Sequence, residues 1–381
     1  MLNHVRPLLV AALHGDRYVS VSENTYSHAD ALTVQKSDVL PDICIIIPAL
    51  NEEAYIEACL ESLLHQTGCQ IVEIIVADGG STDDTIPRVT RLAQLHPIIK
   101  LMHNPMRIQS AGINLAASSA DSRAEVFVRA DAHVAYAADF IAKCVTALHH
   151  QAATSVVVPM RTVGRTGFQR AVAAVQNSKL GNGGAAHRSA GQASGFVDHG
   201  HHAAFDRAFF RRCGGYDESF THNEDAELDH RAHLAGGRVW MCTEACVDYF
   251  PRTRPGPLAR QYWSNGKGRA RTLVKHGMRP RLRQLAPVFV LLMVAGGLAL
   301  SPFWWGFAMP AFAYLATCLL VGVAIAIRQK DLWMLAVGPA AIIMHLSYGT
   351  GFIQTLLRHL KLKHFDTERP SRHVPYGSAS D

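Results

Sequence analysis

Short apolar runs alternate with longer amphipathic segments through the first two thirds of the chain. The run DICIIIPA, which follows Pro41, and the run from Val72 to Ala77 are continuous and rich in β-branched residues, as is typical of parallel strands buried on both faces. The same plan continues with strand-like runs at Ile98 to Met102, Val126 to Arg129 and Ser155 to Met160. A helix-like segment lies between the first two of these, at Ile108 to Ala117. This alternation predicts an α/β fold with a doubly wound, mostly parallel sheet that binds ligands at the carboxyl ends of its strands.

Turn signals follow the first two predicted strands. Pro48 breaks the first run, and a helix is expected to start near Asn51 and Glu52. After the second run, DGGSTDDT supplies a glycine turn, and Ser81 or Thr82 is expected to cap the next helix. Both turns therefore lie where the fold places a ligand.

The last third of the chain has a different pattern. No charged residue occurs from Ala286 to Ile327, a run long enough for two membrane-crossing helices of about 20 residues each. A third apolar segment runs from Leu332 to Leu357. Its length favours a third span, but glycine and proline interrupt it and leave a re-entrant course open, at Gly338, Pro339, Gly349 and Gly351.

These patterns divide the chain into five parts. They are a flexible N-terminal extension (1–40), a catalytic domain (41–256), a basic juxtamembrane segment (257–284), a transmembrane region (285–357) and a basic tail (358–381). The first two spans form a hairpin if the basic residues on either side stay in the cytoplasm. A third span would place the basic tail outside, which conflicts with the positive-inside rule.

Composition agrees with an enzyme attached to a membrane. Hydrophobic residues make up 49% of the 381 positions and charged residues 18%, and the net charge of +6 comes largely from Arg and Lys around the apolar segments. That placement suits a cytoplasmic membrane face. The chain has neither aromatic interleaving nor zinc spacing, so no nucleic-acid partner is expected. The eight cysteines are scattered and are predicted to be reduced.

Acidic residues at the ends of predicted strands are the first candidates for a site. Asp78 directly follows the second strand, whereas Asp131 and His133 follow the run that ends at Arg129 and project to one face in extended chain. The pair can hold a divalent cation, because a cation on a diphosphate needs only one or two protein ligands. The alternatives are a helix-capping turn for Asp78 and a strand-ending turn with a solvent-facing imidazole for the pair.

The segment THNEDAELDHRAHLAGG predicts a helix with an acidic first turn. Glu224 and Asp225 are candidates for the general base that activates an acceptor hydroxyl. For Glu227 and Asp229, a solvated helix face is the preferred interpretation.

A Gly, Ser and Ala-rich stretch from Gly181 to Gly200 predicts a flexible loop that binds substrate. The histidines around its end, His199, His201 and His202, are expected to be acceptor-loop residues, since they lack acidic or Cys partners at metal-ligand spacing.

The basic juxtamembrane segment contains the stretch RQYWSNGKGRAR, which precedes the apolar segments. Gly266 and Gly268 allow close backbone approach, and Lys267 and Arg269 can contact phosphates. Gln261 and Lys267 are expected at the site. For the arginines beyond Arg269, a basic segment held by anionic lipid is an equal alternative.

Six motifs in order resemble those of the inverting family 2 glycosyltransferases, and within them the ExoA-like transferases of bacterial exopolysaccharide assembly. The motifs are CIIIPALNEE, IIVADGGSTDDT, NPMRIQSAGINLAA, VRADAH, GGYDESFTHNEDAELDHRA and RQYWSNGKGRART. The resemblance covers roughly Asp42 to Arg271 and implies a GT-A fold that binds a nucleoside-diphosphate sugar.

The resemblance also implies residue roles. Asp131 takes the place of the metal-binding acidic motif, His133 stands where many members carry their last Asp, and Asp225, the second residue of ED, matches the catalytic base, with Glu224 beside it. Asp78 would hydrogen-bond the uracil or ribose. The predicted nucleotide-sugar-binding set is Pro48, Asn51, Glu52, Asp78, Arg129, Asp131, Gln261, Lys267 and Arg269.

The expected function is the transfer of one sugar, with glucose as the expected sugar, from a UDP-sugar to a polyprenyl-diphosphate-linked saccharide, with inversion. Mn²⁺ or Mg²⁺ is the expected cofactor, and the cytoplasmic face of the bacterial inner membrane the expected location. The Gln-x-x-Arg-Trp motif of processive synthases is missing, which favours single addition. The alternatives are a synthase that uses polyprenyl phosphate directly and a non-catalytic, membrane-anchored scaffold that binds nucleotide sugars.

Overall fold

The computed structural model describes residues 41–178, Gly181 and residues 193–367, with side chains as far as Leu360. The predicted N-terminal extension, most of the Gly, Ser and Ala-rich stretch and the end of the predicted basic tail lie outside the described residues. All eight cysteines lie within them and are free thiols.

The described strands form an eight-stranded sheet and a two-stranded sheet. The strands are β1 (Asp42–Ala49), β2 (Gln70–Asp78), β3 (Ile99–His103), β4 (Val126–Arg129), β5 (Ser155–Val158), β6 (Met160–Thr162), β7 (Gly195–Phe196), β8 (His201–Asp206), β9 (Val239–Met241) and β10 (Val247–Tyr249). The large sheet has the order β3-β2-β1-β4-β8-β5-β9-β7, in which the first four strands run parallel and β8 lies antiparallel to both neighbours. The predicted, mostly parallel α/β fold is confirmed.

One predicted strand is two strands. The run from Ser155 to Met160 divides at Pro159, so that β5 stays in the large sheet and β6 pairs with β10 in the small one. Proline has no N–H for a strand ladder, which explains why the chain changes sheets there.

Strand β1 shows why the apolar runs are continuous. Ile43, Ile45 and Ile47 pack into the core on one face of the sheet, and Cys44 and Ile46 pack into the core on the other. Successive side chains of a strand point to opposite faces, so a strand covered on both sides needs apolar residues at every position.

Helices cover the sheet and extend beyond it. They are α1 (Ile56–Leu64), α2 (Thr85–Leu95), α3 (Gln109–Ser119), α4 (Phe140–His150), α5 (Gly167–Gln176), α6 (Arg207–Arg212), α7 (Glu224–Leu234), α8 (Pro255–His276), α9 (Leu282–Leu300), α10 (Met309–Gln329) and α11 (Val337–Thr367). Short 3₁₀ helices precede α10 and α11, at Trp305–Ala308 and Leu332–Ala336.

Two predicted helix starts are wrong, because the helices begin several residues later. The turns after β1 and β2 contact each other at the predicted positions. Asn51 has a left-handed backbone, with φ at 57°, and α1 begins only at Ile56. The Asn51 amide donates to Ser81 Oγ at 2.8 Å, and Asn51 Oδ1 accepts from the Thr82 amide at 2.8 Å. Ser81 and Thr82 therefore join the two turns instead of capping α2, which begins at Thr85.

Three described helical segments are long and apolar enough to cross a membrane. They are Leu282–Leu300, Trp305–Gln329 and Leu332–Leu360, with mean hydropathies of 1.7, 2.2 and 1.4. The third contains a short 3₁₀ turn and then the unbroken helix α11. The glycines of this segment do not interrupt α11. They lie where the backbones of neighbouring helices approach it closely.

The segment RQYWSNGKGRAR lies inside α8, and its glycines serve helix packing. A Cβ on Gly266 would lie 2.1 Å from the Tyr348 carbonyl oxygen of α11, and one on Gly351 would lie 2.1 Å from the Trp263 carbonyl oxygen. A Cβ on Gly268 would meet the His222 carbonyl oxygen at 2.5 Å. The close approach predicted for these glycines is made to protein backbone.

Replacing Gly266 with Ala is expected to destabilise the protein. The added methyl collides with main chain that cannot rotate away, and overpacking of this kind costs about 1–3 kcal/mol. A lowered thermal unfolding temperature in detergent would measure the effect. Gly296→Ala is the matched control, because a Cβ there meets no atom within 4 Å; equal behaviour of the two variants would contradict the packing role.

Candidate active site

Three elements meet at the carboxyl end of β4. The strand ends at Arg129, and Asp131 follows two residues later. Because β8 runs antiparallel to β4, its first residues, His201 and His202, lie at the same edge. The first turn of α7 adds Asp225. The sheet thus collects side chains that are far apart in sequence at the edge predicted to bind ligands.

Arg129 and Asp225 form the central ion pair. Arg129 Nη1 lies 2.5 Å from Asp225 Oδ1, and Arg129 is only 6% exposed. Burial by itself would raise the pKa of Asp225, but Arg129 and then His202 hold that pKa well below its usual range. Asp225 is therefore a carboxylate with a fixed orientation.

The Tyr216 hydroxyl connects this pair to a buried histidine. It donates to Asp225 Oδ1 at 3.2 Å, and it accepts from Arg129 Nη1 at 3.2 Å. His202 Nδ1 lies 2.6 Å from the Tyr216 hydroxyl oxygen, and His202 Nε2 lies 2.8 Å from Asp229 Oδ1. The network holds Asp225 from below, on the side away from solvent.

His202 carries a positive charge within this network. Burial by itself would lower the pKa of His202, but the carboxylates of Asp229 and Asp225 more than offset burial and raise it to about 10. Burial raises the pKa of Asp229 in turn, although His202 opposes that shift. A charged imidazole between two carboxylates removes the repulsion that would otherwise separate them.

Asp131 is the second carboxylate of the edge. Its Oδ2 lies 3.3 Å from His201 Nε2, and its Oδ1 lies 3.5 Å from Arg129 Nη2. Burial opposes ionisation, but Arg129 and then His201 hold the pKa of Asp131 well below its usual range. Arg129 therefore contacts both Asp131 and Asp225 and fixes the spacing between them.

A smaller cleft of about 200 Å³ opens on the Asp131 side. Its walls come from the ends of β1, β2 and β4 and from the turn before α3, at Pro48, Ala49, Leu50, Glu52, Ala77, Gly79, Asn104, Arg107, Ile108, Gln109, Asp131, Ala132 and His133. Three residues of the predicted nucleotide-sugar set, Pro48, Glu52 and Asp131, line this cleft together. Asn104 and Arg107 line it without having been predicted.

His133 also faces this cleft, where its first partner is Glu52. His133 Nδ1 lies 3.5 Å from Glu52 Oε1, and the imidazole is 42% exposed. The bond to Glu52 raises the pKa of His133 above its usual value, against the opposing effect of burial. His133, Asp131 and Glu52 line the same cleft, and a ligand role for His133 stays a prediction.

Asp78 lies inside the turn that follows β2. It is 2% exposed; its Oδ2 accepts from the backbone amides of Gly80 and Ser81, at 2.7 and 2.9 Å, and its Oδ1 accepts from Ser81 Oγ at 2.5 Å. Of the residues described, Ala77 and Gly79 line the smaller cleft and Asp78 lies behind them. These contacts favour the turn-forming alternative for Asp78 over a direct contact with the base or ribose.

A larger cleft of about 580 Å³ opens on the Asp225 side and reaches the apolar helices. Residues at the carboxyl end of β4 and beside it, which we call the catalytic edge, line one end of it, namely Arg129, His201, Glu224 and Asp225. Residues from α9 and α11 line the other end, among them Gln284, Pro287, Met344 and Tyr348. Burial, and then the neighbouring Asp225 charge, raise the pKa of Glu224 above its usual value.

Helix α8 contributes two of its three predicted residues to the larger cleft. Gln261 and Arg269 line it, eight residues apart on one helix face. The Lys267 ammonium instead lies 4.0 Å from the centroid of the Trp263 ring. This cation–π contact accounts for Lys267 without a phosphate.

The expectation that Glu227 and Asp229 are solvated is wrong. Both are at most 1% exposed. Glu227 accepts from Arg231 at 2.7 Å, from Lys275 at 2.5 Å and from His276 at 3.0 Å. Hydrogen bonds, first from Arg231 and then from Lys275, hold the pKa of Glu227 below its usual value against the opposing effect of burial. Glu227 thus joins α7 to α8, whereas Asp229 pairs with His202 of β8.

The interpretation of the histidines as acceptor-loop residues is wrong for His201 and His202. Both begin a strand of the large sheet, and they bind Asp131 and Asp229. Tyr216, His202 and Asp229 are the network members that the sequence did not identify. The sequence carried one signal, because the histidines of HGHHAAFD directly precede an apolar, strand-like run. The local sequence does not show which carboxylates pair with them.

Asp131 and His133 are the candidate ligands of a divalent cation. Within the described residues, no group of three or more His, Cys, Asp or Glu side chains encloses a metal position. Asp131 stays ionised and faces the same cleft as His133. One carboxylate fits a cation that takes most of its ligands from diphosphate oxygens and water.

The arrangement has known counterparts. A family model described as glycosyl transferase family 2 matches residues 44–214. A curated relative is 42% identical over 313 residues, which cover 82% of this chain and 94% of that protein. The chain therefore belongs to glycosyltransferase family 2, as its motifs predicted. That relative is the succinoglycan biosynthesis protein ExoA of Rhizobium meliloti (strain 1021).

Other similarities are more limited. The chondroitin synthase of Pasteurella multocida (strain Pm70) is 31% identical over 102 residues, which are 26% of this chain and 10% of that protein. The mannosyltransferase PcManGT from Pyrobaculum calidifontis, solved with GDP-Man and Mn²⁺, superposes with a TM-score of 0.54 at 21% identity and covers 84% of this chain and 90% of its own. This likeness, with the sheet order, confirms a GT-A-like fold.

Replacing Asp229 with Asn is expected to flatten the alkaline loss of stability. Because the folded pKa of His202 is raised to about 10, its stabilisation is complete below the unfolded value of about 6.5 and is lost as the pH rises towards 10. Asp229→Asn lowers that folded pKa and reduces the slope, which is at most about 1.4 kcal/mol per pH unit. Thermal unfolding between about pH 7 and about pH 9 measures the slope. Asp139→Asn, at an exposed site paired with Lys143, is the control; if Asp229→Asn keeps the native slope, His202 is not charged by this contact.

Proposed function

We propose that the protein transfers one sugar from a UDP-sugar, with glucose as the expected sugar, to a lipid-linked saccharide, with inversion. The acceptor is a polyprenyl-diphosphate-linked saccharide of exopolysaccharide biosynthesis, presented at the cytoplasmic face of the bacterial inner membrane. The observation that carries the proposal is the pair of clefts that flank one Arg129, Asp131 and Asp225 cluster. One cleft is small and lined by Asp131 and His133, and the other reaches helices long enough to cross a membrane.

The smaller cleft is assigned to the donor. Asp131 and His133 lie there beside Pro48 and Glu52, as the family resemblance implies for a nucleoside-diphosphate sugar. Asp131 and His133 would hold a divalent cation, which would neutralise the charge that develops on the leaving diphosphate. The relative PcManGT, solved with GDP-Man and Mn²⁺, supports both the donor class and the cation.

The larger cleft is assigned to the acceptor. Asp225 accepts the proton of the acceptor hydroxyl, which attacks the anomeric carbon from the face opposite the diphosphate, and the product is inverted. Arg129 and Tyr216 keep the carboxylate oriented. Because Arg129 also contacts Asp131, it sets the distance between the base and the leaving group.

Asp225→Asn is expected to abolish transfer while UDP binding survives. The amide keeps the size of the side chain but cannot accept the proton, and general bases contribute about a hundredfold to ten-thousandfold in rate. Release of UDP from UDP-glucose with Mn²⁺, with and without a lipid-linked acceptor, measures transfer. Asp139→Asn is the control. An active Asp225→Asn variant alongside an inactive Glu224→Gln variant would move the base to Glu224.

His133→Ala is expected to change the response to metal. An imidazole ligand favours Mn²⁺ over Mg²⁺, so the native protein should prefer Mn²⁺ and the variant should lose that preference and need more metal. Titrating each cation against the rate of UDP release measures both effects. His65→Ala, at an exposed histidine on the turn after α1, is the matched control; an unchanged metal response in His133→Ala would leave the imidazole as a neighbour of the site.

A further inference from the structure

Two cationic side chains and one histidine line the larger cleft together. Arg269 comes from α8, Arg283 from the first turn of α9, and His199 from the loop between β7 and β8. We call these three residues the cationic cluster. They line the same cleft as Asp225, together with apolar residues of α9 and α11.

The arginines of the cluster are partly buried and form no ion pair with another described residue. Within the described part of the chain, the ion pairs include neither Arg269 nor Arg283, whereas the adjacent Arg281 pairs with Asp198 at 2.7 Å. Burial, and then Arg283, lower the pKa of Arg269. Burial, and then Arg269 and Arg283, lower the pKa of His199 to about 4. Buried like charges repel unless an anion compensates them.

The catalytic edge shows the opposite design. Arg129 is more deeply buried than Arg269, but it contacts two carboxylates. Arg129 is paired with two carboxylates, whereas Arg269 and Arg283 face a cleft. This difference favours a bound ligand as the source of the anion that compensates these two arginines. The planar, always charged guanidinium is suited to phosphate, which it binds through two parallel hydrogen bonds.

The position of the cluster identifies the anion. The cleft is lined by Asp225, the proposed acceptor of the proton of a sugar hydroxyl, by the cationic cluster, and by residues of α9 and α11 that include Pro287, Met344 and Tyr348. We propose that Arg269, Arg283 and His199 bind the diphosphate of the lipid-linked acceptor and so place its sugar at Asp225. This assignment rests on the proposed function, and it replaces the expectation that Arg269 contacts the diphosphate of the donor.

Farnesyl diphosphate is a suitable probe, because it has an isoprenoid diphosphate and no sugar. Its binding to the full chain in neutral detergent is compared with that of farnesol, which lacks phosphate, and with that of UDP. Arg269→Gln and Arg283→Gln are each expected to weaken farnesyl diphosphate binding by about tenfold or more and to leave UDP binding unchanged. Arg260→Gln, an exposed arginine on the same helix, is the matched control, and Arg269→Lys should retain more affinity than Arg269→Gln.

Three outcomes would overturn the assignment. Unchanged farnesyl diphosphate affinity in both Gln variants removes the cluster from the acceptor, and a loss of UDP affinity returns Arg269 to the donor. A loss confined to binding of phosphatidylglycerol vesicles, with farnesyl diphosphate binding intact, makes the cluster a site for membrane headgroups. Failure of the proposed function has a separate sign: the native protein would then release no UDP from UDP-glucose with Mn²⁺ and acceptor, whatever the variants bind.

Discussion

The contact of one buried guanidinium with two carboxylates organises the catalytic edge. Arg129 ends β4, binds Asp225 at 2.5 Å and lies 3.5 Å from Asp131. An unpaired arginine at this depth would be strongly unfavourable, so the carboxylates cannot move independently. Tyr216 and His202 extend the constraint below the site. The spacing between Asp131 and Asp225 is therefore set by charge pairing at the edge of the sheet.

The same constraint separates two kinds of cleft. The smaller one lies at the ends of β1, β2 and β4, where polar groups and turns are available. The larger one passes between the catalytic edge and helices α8, α9 and α11. Its floor depends on close helix packing, because Gly266 and Gly351 bring the α8 and α11 backbones together. The larger cleft and the candidate membrane spans thus share helices α9 and α11.

Charge is distributed unevenly between these regions. At the catalytic edge, and again where α7 meets α8, the cations and carboxylates contact one another. Along the larger cleft, Arg269 and Arg283 face the cavity. Glu227 illustrates the structural kind of pairing, since Arg231, Lys275 and His276 surround one buried carboxylate. A difference of this kind separates charges that hold the fold together from charges that await a ligand.

The sequence by itself determined the α/β plan, the apolar helices and the family. Runs such as Ile43 to Ile47 are apolar at every position because the strand is buried on both faces, and that pattern is local. The motif order likewise placed Asp131 and Asp225 among the candidates. Only the tertiary structure decided which polar residues meet. The sequence predicted His202 in a loop and Asp229 on a solvated helix face. In the structure β8 lies between β4 and β5, and His202 and Asp229 are buried as a pair. Asn51 became a turn and Gly266 a helix contact for the same physical reason, since each partner lies far away in sequence.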